Sequence, residues 1–201
     1  MTLTVFISLQ LLLIAGCVTP GPNNALLSSS GMRFGYRATM PHAWGVMIGH
    51  AVMEFMVAAG LGAIYLSFPI LNNILTIVAI LLLCYLAYKI ATAPVDKFAE
   101  SAKQAKPWGF WQAFVFQWIN PKAWLIAIGV SGQYASGEHP LIAATFIGIA
   151  TLLAGVISTQ TWTIFGVAMA RILNTPLKRR IFNISMALLI IASIFMLIGH
   201  K

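Results

Sequence analysis

The residues most able to do chemistry in this chain fall in two short groups, Pro20, Gly21, Pro22, Asn23 and Asn24, and Gln117, Asn120, Pro121 and Lys122. Each group interrupts a long apolar stretch. Proline lacks a backbone N–H and clashes with the preceding turn, so neither stretch can be one continuous helix. The broken backbone leaves carbonyls and amides that hydrocarbon cannot satisfy. Such a break is tolerated at membrane depth where it is buried in protein or lines a polar cavity. The chemistry on offer is recognition of a small zwitterion. A half-helix N-terminus after each proline presents N–H groups and a positive dipole end to a carboxylate. Carbonyls before each break, and the amides of Asn23, Asn24 and Asn120, can meet an ammonium group. Lys122 is the one lysine expected inside the membrane, where a charge is costly unless used. It reads either as a carboxylate or gating partner, or as a lysine snorkelling along a cavity to water.

Other polar residues fall in apolar stretches too. His50 and Glu54 are four apart, hence on one helix face and within reach of each other. Glu54 is the one acid expected deep in the membrane, so the pair is the candidate proton relay, or else a structural pair. Gln160 and Trp162, in the polar run Ser158 to Thr163, are candidates to line a path or to join helices by hydrogen bonds. Gly45 and Gly49 form a small face for close helix packing. Cys17 and Cys84 read as small buried residues. Their spacing offers no local redox pair or metal site, and no cofactor is expected. No hydrolase set, metalloprotease helix or phosphate loop occurs.

The elements that must position these residues follow from composition. The chain has 201 residues, 60% of them hydrophobic and 8% charged, which no soluble domain of this size matches. A helix needs about 20 apolar residues to cross a bilayer. Candidate spans run from Leu3 to about Asn24, Ala43 to Phe68, Pro69 to Lys89, Phe110 to Gln133, Leu141 to Ala170 and Ile181 to Gly199. The second and third form a hairpin about Ser67, Phe68 and Pro69. The net charge of +8 does not point to nucleic acid, because the basic residues sit in short loops between spans. Ten of them (Arg33, Arg37, Lys89, Lys97, Lys103, Lys106, Arg171, Lys178, Arg179, Arg180) fall on one side, against Lys201 on the other. Loops one, three and five are therefore expected in the cytoplasm and both termini outside. Leu13 to Cys17 looks like a lipoprotein cleavage box, but no basic residue precedes Arg33. The first span is expected to stay in the mature protein.

Residues 1–92 and 110–201 each hold three spans, joined by a polar loop at 93–109. An odd number of spans per half places the halves in opposite orientations. The expected fold is thus an all-α integral membrane protein of six transmembrane helices, built as two inverted three-helix repeats with interrupted first and fourth helices. Paired breaks at corresponding positions point to a transporter's central site.

Pro20-Gly21-Pro22-Asn23 and Asn120-Pro121-Lys122-Ala123, with Tyr88-Lys89-Ile90-Ala91 closing the third span, resemble the hallmark motifs of the LysE/RhtB family of amino-acid exporters. The resemblance covers essentially the whole chain. It implies a multi-pass carrier of the bacterial inner membrane, not an enzyme, that exports an amino acid or derivative against protons, working among membrane lipids. A homodimer is permitted by exposed small-residue faces. Two other readings stay open: a membrane thiol–disulfide carrier, which would need Cys17 and Cys84 to meet, and a structural subunit. With Lys122 present and Glu54 the lone deep acid, a neutral amino acid is favoured over a dibasic one.

Overall fold

The computed structural model describes residues 2–95, 106–135 and 139–198. The described residues form helices and no strand. α1 (Leu3–Val18) and α2 (Pro22–Phe34) are bent by 59° at the first break. α3 (Tyr36–Met56) passes through a π-helical turn at Val57–Leu61 into α4 (Gly62–Ser67). α5 (Pro69–Ala91) completes the first half. α6 (Phe110–Phe116) and a 3-10 turn (Gln117–Ile119) meet α7 (Pro121–Tyr134) at 64°. α8 (Pro140–Ile172) and α9 (Pro176–Ile198) follow.

Proline starts five of these helices: Pro22, Pro69, Pro121, Pro140 and Pro176. Its fixed φ suits a first helical turn, whose N–H groups have no intrahelical partner anyway. The same residues that break the apolar stretches therefore restart them. Tyr36–Ser67, Asn73–Ala91 and Pro140–Ile172 are each long and apolar enough to cross a membrane. Each bent pair also qualifies when taken as one span, which gives up to five among the described residues.

The loops differ from expectation. α2 runs on to Phe34 and α3 begins at Tyr36, so the expected loop between Asn24 and Ala43 shrinks to Gly35, at φ 79°. A glycine adopts this left-handed conformation without penalty. Arg33 and Arg37 thus belong to helix ends. Likewise Leu173–Thr175 alone separates α8 from α9, and Arg171, Lys178, Arg179 and Arg180 sit in helical turns. Arg179 Nε donates to the Leu173 carbonyl at 2.9 Å, and Arg180 donates to the Ala91 carbonyl at the end of α5. Asp96, Lys97, Glu100, Lys103, Glu138 and Lys201 lie outside the described residues.

α8 is the hub, packing on α1, α2 and α3. α6 crosses α3, and α9 lies against α5 and α2. Lipid tails are as apolar as leucine, so close approach rather than water exclusion drives these contacts. The α3–α6 crossing shows it: a Cβ on Gly49 would stand 2.8 Å from Phe114 Cα, and one on Gly45 would fall onto the Phe110 carbonyl. The buried face of α8 repeats small residues at helical spacing (Ala144, Thr151, Ala154, Ser158), which lets α1 and α3 come close.

Candidate functional site

The bends bring the two breaks into contact with each other. Asn23 Nδ2 donates to Gln117 Oε1 at 2.8 Å, and Gln117 Nε2 donates back to Asn23 Oδ1 at 3.3 Å. The Lys122 ammonium donates to the Thr19 carbonyl and, at 3.4 Å, to that of Pro20. Its aliphatic stem lies over Gly21, where a Cβ would stand 2.8 Å from Lys122 Cδ.

In the first break the helix ends at Val18, so its last carbonyls need outside donors. Each finds one. Thr19 Oγ1 donates to Ala15 and Gly16 at 2.8 and 2.7 Å. Asn24 Nδ2 donates to Cys17 and Thr19 at 2.8 and 2.7 Å, and Ser158 Oγ to Cys17 at 2.8 Å. Trp162 Nε1 donates to Val18 at 3.0 Å. Asn24 is thus buried with its amide spent on backbone. By contrast, the N-terminus of α2 starts at an extended Gly21 and has no side-chain cap.

The second break looks after itself. Asn120, 2% exposed, leaves helical geometry at φ −83°, ψ 110°, and its Oδ1 caps α7 by accepting from Lys122 N at 3.2 Å. Trp124 Nε1 serves the Trp118 carbonyl at 2.8 Å. Gln117 and Pro121 are buried beside it.

Between the breaks lies a narrow cavity of about 30 Å³, room for little more than water. Asn23, Asn24, Asn120, Lys122, Ser158 and Thr159 are its polar lining residues. Val46, Met47 and Ile126 supply its apolar wall. Gly21 also lines it, while Pro20 is exposed. No acidic side chain is among its described lining residues.

His50 opens onto this cavity and Glu54 stands behind it. His50 Nε2 is 3.5 Å from Glu54 Oε1, and Cys17 Sγ is 3.8 Å from His50 Nδ1. Glu54 is fully buried and neither carboxyl oxygen has a hydrogen bond within the described residues. Gln160 points elsewhere, accepting from Tyr36 Oη at 2.6 Å, and neither it nor Trp162 lines the cavity. Ser158 and Thr159 of the same polar run do. Cys17, Val46, Met47, Ile126 and Gly155 also line the cavity, and sequence reasoning selected none of them. The cysteines are both free, Cys17 buried at the cavity and Cys84 exposed on α5.

Two broken helices joined beside a narrow cavity with polar lining residues, in an apolar helical bundle, are an arrangement suited to carrying a small solute. Residues 14–199 match the model of the LysE type translocator family. The chain belongs to that family. LysE type translocators are transporters of membranes, and amino-acid export is the family's activity. Curated relatives include the cysteine/O-acetylserine efflux proteins of Escherichia coli strain K12 and of Escherichia coli O139:H28. Each is 28% identical over 176 residues, covering 87% of either chain. No solved structure matches this translocator.

Proposed function

We propose that this LysE type translocator is a secondary active exporter of a small neutral amino acid, moving it through the cavity between the two breaks. The observation that carries the reading is the Lys122 ammonium seated on the Thr19 and Pro20 carbonyls. A substrate ammonium would use the same acceptors, and the freed Lys122 would turn to the substrate carboxylate together with the uncapped N-terminus of α2. Seated as it is, Lys122 closes the cavity. The described lining holds no acid, which favours a neutral side chain over a second ammonium. Ser158 and Thr159 offer hydroxyls to a side chain such as the thiol of cysteine or the ester of O-acetylserine, named for the relatives.

Coupling to protons is assigned to His50 and Glu54, which form a buried chain leading away from the cavity. The packing supports two inverted halves and six spans, with α9 as the sixth. Each bent pair packs on the middle helix of the other half, α1 and α2 on α8 and α6 on α3. The middle helices α3 and α8 meet, and so do the last helices α5 and α9. In this reading the protein sits in the inner membrane with its basic helix ends in the cytoplasm and both termini outside.

Proteoliposomes loaded with labelled cysteine, O-acetylserine, threonine or lysine test the reading. Efflux of a neutral substrate that speeds up under an imposed proton gradient is expected. Preferred lysine efflux would overturn the substrate class. Unchanged gradient dependence in Glu54→Gln would remove that residue from coupling.

A further inference from the structure

A second cavity, separate from the transport site, opens between α2, α5 and α6. Its volume is about 790 Å³, far beyond the 30 Å³ of the central one and ample for an amphiphile. Its two ends differ in chemistry. Arg33, Lys89 and Lys106 stand at one end, and no acidic side chain lies among its described lining residues. At the other end the walls are Leu82, Val115 and Ile119. Leu82, Leu86 and Lys89 are spaced four and three apart, so one face of α5 runs from apolar wall to cation over roughly 10 Å.

Two further observations point to a ligand. His42 lines the cavity, is 2% exposed, and neither ring nitrogen has a hydrogen-bond partner within the described residues. The Ser29 hydroxyl, also lining it, is buried and unpartnered there as well. Buried polar groups are almost always satisfied, so such a pair in one cavity calls for an acceptor and donor from outside. The mouth is flanked by exposed Tyr85 and Trp111, the side chains that settle at membrane interfaces.

We propose that this cavity binds one anionic phospholipid, its phosphate among Lys89, Lys106 and His42 and an acyl chain along Leu82, Val115 and Ile119. Basic pockets between membrane helices suit such headgroups. Charge complementarity selects the anionic lipid over a zwitterionic one, and the apolar wall selects a lipid over a free anion. The site goes beyond transport, since lipid retention requires no substrate.

The test uses the full chain in mild detergent, followed by thermal unfolding and by native mass spectrometry. Added phosphatidylglycerol at saturation is expected to raise the unfolding midpoint by roughly 5 °C, and one copy should survive into the gas phase. Phosphatidylcholine and inorganic phosphate should do neither. The double variant Lys89→Gln, Lys106→Gln should weaken phosphatidylglycerol binding by about thirtyfold. Lys178→Gln, outside the cavity, should bind as the parent does. Val115→Trp, which fills the apolar end, should also lose binding while keeping the cations. Equal response to phosphatidylcholine, full binding by the double variant, or weakening by Lys178→Gln alone would overturn the proposal. A phosphate effect equal to that of the lipid would also overturn it, in favour of a free-anion site.

Discussion

The two breaks serve the same purpose by different means. The first leaves three residues, Thr19 to Gly21, outside helix, and beside its own Thr19 and Asn24 it borrows donors from afar: Ser158 and Trp162 on α8 and Lys122 on α7. The second leaves one residue, Asn120, and closes with its own side chain and with Trp124 a few residues on. A break that supplies its own partners is a fixed post. One that depends on other helices can exchange them, and an incoming ammonium is one thing it can exchange for. In the proposed export cycle the first break recognises substrate and the second holds Lys122 in place.

That contrast can be broken or sharpened by substitution. The largest effect is expected at Lys122: Lys122→Gln removes a charge-assisted contact and should cut export about 10- to 100-fold in loaded vesicles, with the protein still folded. Next comes Asn24→Leu, which strips donors from the Cys17 and Thr19 carbonyls inside the bundle. It should cost about 2–4 kcal/mol in reversible unfolding in mixed micelles. Asn120→Ala removes only a helix cap and should cost about 1 kcal/mol in the same assay. Were the two losses equal, the heavier demand of the first break on side-chain donors to its backbone would fail. The smallest effect belongs to the bridge between the breaks. A double-mutant cycle on Asn23→Ala and Gln117→Ala should give a coupling of about 0.5–1 kcal/mol, and no coupling would mean the amide pair does not form.

Much of the scaffold was legible because proline and glycine act locally. Pro22 and Pro121 mark both breaks, Gly45 and Gly49 mark the α3–α6 crossing, and four-residue spacing alone pairs His50 with Glu54. The turn at Gly35 was not, because Arg33 and Arg37 read as loop residues. Long basic side chains can instead sit in helix-end turns and reach outward. Helix phase left the polar run on α8 open between lining a path and joining helices. With five polar residues in six, nothing local says that Ser158 and Thr159 face the cavity while Gln160 turns to Tyr36. The distant donors that serve the first break were hidden for a different reason. Ser158 and Trp162 lie more than a hundred residues from their acceptors, and one sequence carries no record of such pairings.

Cys17 offers the most direct test of the central site, because its thiol lines the cavity. In a Cys84→Ser protein it is the sole thiol, and its alkylation by a membrane-permeant maleimide reports whether the cavity is occupied. Passage of the amino acid between the two breaks predicts that saturating O-acetylserine slows this labelling severalfold, while an amino acid that is not exported leaves it unchanged. Labelling at one rate with and without an exported amino acid would contradict it.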